Sequence, residues 1–457
     1  VATGFNVDNS CRFDDGSSAY LSSDFAGTGS SSAAIATYSV WIKTSTVQTA
    51  KATIVSNKDD GSNYLSVKIE GDDFRIQGIS PICDLITDKK FRDPGAWYHI
   101  VMAFDTAQAV DTNRIKLWVN NERITDFSTA TYLAQNDELF LTKSDDLEIG
   151  QFSDDGSQYY DGYMAEFVCI DGTAYTPSDF GEYDSDSPTI WKPKDVSGLT
   201  FGSKGYYLDF KDSAALGDDV SGNNNDFTEN NIAAVDQCVD SPTNNFATFN
   251  PLDNYYQAIT YSNGNMTMTT TGNISPGLST IGLTAGKWYF EVKATDIHNI
   301  IGIQGTKITA STQYLGENAN DWGYYGSNGN QYNNGSSTSY GDTYSTGDII
   351  GVAVDLENNK LYFSKTNVWQ NSGVPTSGAT GTGAMSIGAA SSTGPGYYLP
   401  GITSNTGSAS ANNGNFGNPP YANSSDAADE NGYGKFEYAP PSGYLAICTK
   451  NLGSDGG

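Results

Sequence analysis

The chain has 457 residues, with 24 Lys and Arg against 53 Asp and Glu, which gives a formal charge of −29 at pH 7. Binding to phosphates needs clustered Lys and Arg, so this balance argues against a nucleic-acid partner. No apolar run approaches the roughly 18 residues of a membrane span, which argues against membrane insertion. Five widely spaced Cys and two His argue against a zinc site and a disulfide framework, and we expect free, buried thiols.

Residues 1–182 have the pattern of many short strands. Apolar and polar residues alternate over 36–42 and 114–119, which is typical of half-buried strands. Gly, Asn and Asp cluster between such runs, at 70–73 and 120–121, where tight turns are expected. Because helical periodicity is almost missing, this block predicts an antiparallel β-sandwich or barrel.

Residues 183–250 differ from the block before them. They are rich in turn-forming Asp, Ser, Pro and Asn, yet apolar residues alternate again at 206–210. Flexible linkers lack such aromatic anchors, so we predict an ordered, loop-rich connector.

Residues 251–450 return to strand patterns, for example at 349–354. Asn358 and Asn359, which separate two apolar runs, predict a tight hairpin. The last residues, 451–457, have the composition of a linker or a disordered tail. The predicted fold class is therefore all-β, with two antiparallel β-sandwich (jelly-roll) domains joined by the ordered connector.

Few residues have a pattern that suggests catalysis. Retaining glycoside hydrolysis needs two carboxylates about 5 Å apart, and acids two residues apart on a strand share a face. Asp146 and Glu148 come nearest to this pattern, but we interpret them as solvated acids at a strand end. His99 lies in an apolar strand pattern, which predicts a structural histidine. We expect no catalytic site and no enzymatic activity.

Two tyrosine-rich stretches have a composition that suits sugar binding. Sugar recognition uses an aromatic ring beside Asn, Asp and backbone donors. Both 158–161 and 322–334 combine these residue types. Packing of the rings in the core is the competing interpretation. The candidate glycan-binding residues are Tyr159, Tyr160, Tyr325, Tyr332 and, slightly further along the chain, Tyr340.

Strand-like stretches occur in the first block at 38–42, 97–101, 115–121, 147–150 and 160–167. Their order and spacing resemble those of a laminin-G-like, concanavalin A-like domain. This resemblance implies a jelly-roll sandwich, a fold that often binds Ca²⁺ in a loop through Asp, Asn and carbonyl oxygens. Solvated acidic turns are the alternative, and we expect no other cofactor. The candidate calcium ligands are Asp59, Asp60, Asp154, Asp155, Asp218 and Asp219.

In the second block, matching stretches lie at 286–292, 321–324, 346–355 and 361–365. They resemble those of a SPRY-type β-sandwich. The chain then departs from that pattern, because Thr366 follows where the family usually continues with Asn-Gly. The strand prediction is unaffected, but the following turn stays open.

Four further stretches, at 191–194, 217–228, 242–248 and 438–444, extend the comparison to nearly the whole chain. They resemble structural proteins of tailed phages, especially those of marine hosts. The resemblance implies a virion protein, namely a tail fibre, a head fibre or a capsid decoration protein. Other virion proteins are then the expected partners, and the exposed surface of the virion is the expected location.

The first functional hypothesis is a non-enzymatic appendage subunit that projects outward, with host-surface glycans as candidate ligands. A homo-oligomer, and among oligomers a trimer, is expected of such a subunit. A secreted bacterial lectin or adhesin is the alternative, and a concanavalin-fold polysaccharide-degrading enzyme is a lesser one. A purely structural role, with both domain surfaces used for subunit contacts, also stays open.

Overall fold

The computed structural model describes residues 4–23, 34–45, 51–58, 63–139, 146–253, 259–270, 275–307, 309–310, 313–404 and 410–455. The chain divides into two compact units, Val1–Thr243 and Asn244–Gly457. Antiparallel sheets dominate both, and one short strand pair is parallel. The prediction of an all-β chain built from antiparallel sandwiches is confirmed.

Two large sheets form the first unit. Within the described residues, sheet 1 has the order β10–β9–β8–β3–β13–β1–β18, with β16 also on β13, and sheet 2 has the order β11–β7–β6–β5–β4–β12–β2–β17. A small third sheet pairs β14 with β15. The strands are β1 (Ser10–Phe13), β2 (Tyr20–Ser23), β3 (Ile35–Thr44), β4 (Lys51–Lys58), β5 (Tyr64–Glu70), β6 (Asp73–Ile79), β7 (Ile82–Lys90), β8 (Tyr98–Asp105), β9 (Ile115–Val119), β10 (Glu122–Ile124), β11 (Phe127–Thr131), β12 (Leu147–Ile149), β13 (Gly162–Asp171), β14 (Gly181–Tyr183), β15 (Trp191–Pro193), β16 (Tyr206–Leu208), β17 (Thr228–Asn230) and β18 (Gln237–Cys238).

Two hairpins of this unit have two-residue turns that the sequence specifies. Gly71 and Asp72 join β5 to β6, and Asn120 and Asn121 join β9 to β10. All four residues have positive φ, between 49° and 68°. Such turns require positive φ at both positions, which Gly, Asn and Asp adopt at low cost. The turn residues therefore set the register of these strand pairs.

The core of the first unit lies between sheets 1 and 2. Strand β9 has the alternating burial expected of a half-buried strand, with Ile115, Leu117 and Val119 buried. The centre of sheet 1 differs from the prediction, because every residue of β3 after Ile35 is buried. The alternation of apolar and polar residues along β3 therefore does not indicate that one side of this strand faces solvent.

Residues beyond the predicted first domain cover the outer face of sheet 1. Val196 and Phe201, which lie beyond that domain, pack with Phe180, Val101 and Val168 in one apolar cluster. The predicted connector also contributes β16, β17 and β18 to the two sheets. This coverage is the reason that the centre of sheet 1, at β3 and β13, is buried on both faces.

A buried ion pair holds the end of this segment. Lys43 Nζ lies 2.7 Å from Asp240 Oδ2, and the two side chains are 1% and 0% exposed. The other oxygen, Asp240 Oδ1, accepts a hydrogen bond from Trp97 Nε1 at 3.1 Å. Burial of a charge is costly unless it is paired, so this contact fixes the position of β18 beside β1.

Two sheets also form the second unit. Among the described residues, sheet 3 has the order β19–β20–β32–β22–β27–β28–β29, with β30 on β28 and β33 on β22, and sheet 4 has the order β21–β31–β23–β24–β25–β26. The strands are β19 (Ile259–Ser262), β20 (Thr267–Thr270), β21 (Ser275–Leu278), β22 (Lys287–Lys293), β23 (Asn299–Gln304), β24 (Asp321–Tyr325), β25 (Asn330–Asn333), β26 (Ser336–Ser339), β27 (Ile349–Asp355), β28 (Lys360–Lys365), β29 (Val368–Trp369), β30 (Met385–Ser386), β31 (Leu399–Ser404), β32 (Ser410–Asn415) and β33 (Leu445–Ala446).

The centre of sheet 3 carries a buried acid. Glu291 on β22 is 0% exposed and accepts hydrogen bonds from the Tyr289 hydroxyl, the Asn415 amide and the backbone N–H groups of Glu437 and Tyr438. Burial raises the pKa of Glu291 to about 7, although these donors favour the carboxylate. The acid ties a long loop to the sheet.

Helices are few in the described residues. The α-helix α1 spans Thr449–Asp455 and so overlaps residues 451–457, whose composition suggested a linker or a disordered tail. None of the helices formed by the described residues is long and apolar enough to cross a membrane. The 3₁₀ turns are Asp15–Ser17, Asp111–Asn113, Pro177–Asp179, Ala234–Asp236, Gln370–Ser372, Pro375–Thr380 and Ala390–Ser392.

We predict that Lys43→Met destabilises the protein, because it leaves the Asp240 carboxylate buried without its cation. The expected loss in the free energy of unfolding is about 3–5 kcal/mol, measured by urea denaturation. Lys51→Met is the control, since Lys51 lies 3.7 Å from Glu70 in a solvent-exposed pair, which is worth at most about 1 kcal/mol. Equal losses in the two variants would contradict the assigned role of the buried pair.

Candidate functional site

His99 is buried next to a serine, which is the residue pair of a catalytic Ser–His dyad. His99 Nε2 lies 2.8 Å from Ser39 Oγ, and Trp191 Nε1 donates to His99 Nδ1 at 2.9 Å. The imidazole also stacks on Trp41, with ring centroids 4.5 Å apart. Burial lowers the pKa of His99 to about 3, so the ring is neutral.

The indole fixes the tautomer of this ring. Trp Nε1 can only donate, so His99 Nδ1 must accept and Nε2 carries the proton. Nε2–H then donates to Ser39 Oγ, which leaves no basic nitrogen facing the hydroxyl. The pair therefore lacks the arrangement that activates a serine nucleophile.

The acids nearest to a hydrolase pattern lie at the edge of β12. Asp146 is exposed, and Glu148 is half-buried on β12, between β2 and β4. Burial, with the Asp146 charge as a smaller cause, raises the pKa of Glu148 to about 7.

The structure places the predicted calcium ligands in different settings. Asp59 and Asp60 lie outside the described residues. Asp154 pairs with Lys58 at 3.3 Å, and Asp155 accepts a hydrogen bond from the Ser157 hydroxyl.

The third predicted calcium loop, at Asp218 and Asp219, is held by hydrogen bonds. Asp218 is exposed, whereas Asp219 is 6% exposed. Each oxygen of Asp219 accepts two hydrogen bonds: Oδ1 from the N–H groups of Tyr207 and Ser221, and Oδ2 from the Ser221 hydroxyl and the Asn225 N–H. This carboxylate thus closes its loop with donors from the protein.

An acidic cluster that the sequence analysis did not predict lies elsewhere in the first unit. Carboxylate oxygens of Asp14, Asp15 and Asp161 all lie within 4.8 Å of one another. Asp14 directly follows β1 and Asp15 comes next in the chain, whereas Asp161 directly precedes β13. Only the pairing of those distant strands brings them together.

The two tyrosines predicted near residue 160 point in different directions. Tyr159 is half-buried, and its hydroxyl accepts a hydrogen bond from Gln151 Nε2 at 2.7 Å. Tyr160 is 0% exposed and packs edge-on against Phe13 in the core of the first unit. Tyr160 is therefore not accessible to a ligand in this structure.

The second tyrosine group divides between the two faces of sheet 4. Tyr340 is 5% exposed and packs in the core against Tyr324 and Phe363. Tyr325 and Tyr332 pack against each other in a separate cluster, with centroids 5.6 Å apart. Tyr332 also packs edge-on against Tyr314, at 6.1 Å, a residue that the sequence analysis did not single out.

We call Tyr314, Tyr325 and Tyr332 the tyrosine face. Ile301 and Ile303 of β23 point into the core, whereas Ile300 packs with this cluster, so the tyrosine face lies on the outer side of sheet 4. Tyr325 is 9% exposed and supports the half-buried Tyr332 ring.

Small uncharged side chains surround Tyr332. The register places Ser337 of the edge strand β26 opposite it, and Asn330 lies two residues away on the same face. Asn328 Nδ2 donates to the Tyr332 hydroxyl at 3.2 Å. All four residues of β26 are exposed. The arrangement offers one aromatic ring within a border of neutral hydrogen-bonding groups.

Comparison with known families agrees with both predicted domain types. Residues 15–178 match a laminin G family described as the concanavalin A-like lectin/glucanases superfamily. Residues 287–394 match the SPRY domain family. The tyrosine face, including Tyr314, lies within the SPRY match. The chain therefore carries a concanavalin-like domain followed by a SPRY domain.

Curated relatives match the chain over stretches of 85 to 90 residues. A Ran-binding proteins 9/10 homolog of Drosophila melanogaster is 32% identical over 90 residues, which is 19% of this chain and 9% of the relative. Human Ran-binding protein 9 is 33% identical over 85 residues, or 18% of this chain and 12% of the relative. The chain thus spans about a tenth of the length of these relatives.

Solved structures give low-scoring matches. The SPRY domain of human HERC1 is 18% identical, with a TM-score of 0.29, and the match covers 36% of this chain and 96% of that one. Stonustoxin is 19% identical, with a TM-score of 0.28, and the match covers 37% and 27%.

We predict a specific pH dependence from His99. Its pKa in the folded protein, about 3, lies below the value of 6.5 for an unperturbed His. Below pH 6.5 the unfolded chain takes up a proton that the folded chain excludes, so stability is lost as the pH falls. Between pH 7.5 and 5 this loss is about 2 kcal/mol.

Buried acids such as Glu291, whose pKa is raised, have the opposite effect, because they increase the stability of the folded protein as the pH falls over this range. The measurement is therefore a difference between variants. Urea denaturation at pH 7.5 and 5 is compared for the wild type and His99→Gln, and the variant is expected to lose less stability on acidification. The same loss in both proteins would contradict a neutral, buried His99.

Proposed function

We propose that this chain is a non-catalytic recognition protein whose SPRY domain binds uncharged glycans at the tyrosine face. The observation that carries this proposal is the position of Tyr332, half-buried on the outer side of sheet 4 beside an exposed, uncharged edge strand. The concanavalin-like and SPRY domains are both of binding type.

The chemistry of the face suits a sugar better than a charged ligand. An aromatic ring packs against the apolar side of a pyranose, and neighbouring polar groups bond its hydroxyls. Asn330, Ser337 and the Tyr332 hydroxyl supply such groups without a net charge. Support from Tyr325 and Tyr314 holds the ring in place before binding, which lowers the entropic cost of association.

A protein ligand is the second candidate. Its support is the match of 85–90 residues to proteins named for binding Ran. A SPRY domain that binds a protein segment would use the same kind of surface, with an edge strand such as β26 open for pairing.

We also propose that the chain acts on the exposed surface of a virion as an outward-projecting, oligomeric fibre or decoration subunit. This placement rests on the sequence stretches that resemble tailed-phage structural proteins, including 191–194 and 438–444. The absence of enzymatic activity is part of the proposal and is supported by the tautomer of His99. Calcium remains the candidate cofactor.

We predict that Tyr332→Ala lowers glycan affinity roughly tenfold or more, because it removes the ring on which the sugar packs. The measurement is a glycan array with the full chain, followed by calorimetric titration of the best ligand. Tyr332→Phe keeps the ring and is expected to stay within a few-fold of the wild type.

The matched control is Tyr397→Ala, since Tyr397 is a solvent-accessible tyrosine of the second unit outside the tyrosine face, and is 36% exposed. Its affinity for the glycan should be unchanged. A glycan-binding wild type whose affinity survives Tyr332→Ala would remove the tyrosine face as the site. A wild type that binds no glycan but captures a defined protein segment would favour the second candidate.

Placement on a virion has its own test. We predict that mass spectrometry of purified phage particles from the source of this sequence detects the chain as a stoichiometric component. Cryo-electron microscopy should then show the tyrosine face directed away from the particle. Recovery of the chain solely in the particle-free fraction would contradict this placement and favour a secreted lectin or adhesin.

A further inference from the structure

We propose that Glu166 is a pH-sensitive latch, which fastens the segment carrying β16 to the outer face of sheet 1 and releases that segment when its carboxyl group ionises. We call residues 195–211 the cover segment. Apolar side chains of the cover segment and of sheet 1 form one cluster, which includes Val196, Phe201, Tyr207, Val101 and Val168. The latch belongs to the first unit and does not depend on the tyrosine face, which belongs to the second.

A β-bulge in β13 sets the position of Glu166. In the pairing of β13 with β3, the step from Ala165 to Val168 spans one residue more on β13 than on β3. Glu166 lies inside this bulge with a φ of 49°, in the left-handed region that side chains other than Gly, Asn and Asp seldom adopt. Bulges and strained backbone of this kind are concentrated at functional positions. The conformation is therefore a reason to ask what the acid does.

The carboxyl group of Glu166 has one hydrogen-bond donor for its two oxygens. The Tyr207 hydroxyl donates to Glu166 Oε2 at 2.6 Å. Glu166 is 5% exposed, and its Oε1 is buried and accepts no hydrogen bond from the described residues. In contrast, both oxygens of the buried acids Asp219 and Glu291 accept hydrogen bonds. Because a buried charge costs far more than a buried neutral group, the place of Glu166 suits the neutral acid.

Charged groups on the surrounding elements do not offset this burial. Lys211 favours the ionised form of Glu166, whereas Asp209 and Asp195 oppose it. Lys211 Nζ lies 3.2 Å from Asp209, and the Lys211 side chain is 46% exposed, so solvent screens its effect on Glu166. The part of β3 opposite the bulge, residues 39–41, carries no ionisable side chain.

The direction of the pH effect follows from these contacts. Burial raises the pKa of Glu166 from 4.5 to about 7, although the hydrogen bond from Tyr207 lowers it. The stabilisation is therefore complete below pH 4.5 and is lost as the pH rises through 7, because an opened segment releases the proton more readily than a closed one. His99 and Tyr207 stay neutral from pH 6 to 8, since burial lowers the pKa of His99 to about 3 and raises that of Tyr207.

The test is hydrogen–deuterium exchange of the full chain at pH 6 and pH 8, read by mass spectrometry and corrected for the intrinsic pH dependence of amide exchange. In the wild type, the protection of amides in the cover segment is expected to fall about tenfold between these two values. Glu166→Gln keeps an acceptor for the Tyr207 hydroxyl but cannot ionise. Its protection should therefore be the same at both pH values.

The matched control is Glu182→Gln, because Glu182 is an exposed acid of the same unit and its change removes the same charge. This variant should keep the tenfold loss. A second variant, Tyr207→Phe, removes the donor to the carboxyl group. It should lower the protection of the cover segment at pH 6 and still show a further loss at pH 8, since Glu166 can still ionise.

Glu148 and Glu291, whose pKa values are also raised to about 7, lie on sheet 2 and in the second unit, so exchange resolved by peptide separates their effects from that of Glu166. Two results would overturn the proposal: equal protection of the cover segment at pH 6 and 8 in the wild type, or a loss in Glu166→Gln as large as that of the wild type. Loss of glycan binding would not bear on it, because the tyrosine face lies in the other unit.

Discussion

Buried carboxylates need hydrogen-bond donors, and this requirement fastens the long irregular segments of the chain to its two sandwiches. Asp240 is held by Lys43 and Trp97 and brings residues near 240 back to β1. In the second unit, Asp429 accepts hydrogen bonds from four donors, including the Ala446 N–H and the Asn451 side chain. The described loops are thereby ordered without disulfides, since each of the five cysteines is buried and none forms a disulfide bond.

Asp161 and Glu166 depart from this pattern, because each has one buried oxygen that accepts no hydrogen bond from the described residues. The tyrosine face is built differently, because its rings support one another and the side chains of Asn328, Asn330 and Ser337 beside Tyr332 are uncharged.

Much of the fold could be predicted because it depends on short-range patterns. Period-two alternation located strands such as β9, and the Asn and Gly residues of the hairpins specified their turns. The predicted hairpin at Asn358 and Asn359 joins β27 to β28 as expected. The candidate site was predicted only in part. Tyr325 and Tyr332 do meet, but Tyr160 and Tyr340 are in the core, because composition does not tell which face a ring occupies.

The sequence by itself determined the all-β class, the two domain types and the local turns, since each depends on neighbours within a few residues. Tertiary structure alone decided that residues near 180–207 cover sheet 1 and that Asp14 meets Asp161 across 147 positions of sequence. These contacts depend on the register between strands that are distant in the chain. Shifting such a register by one residue would turn every side chain to the opposite face, so no local pattern can specify it.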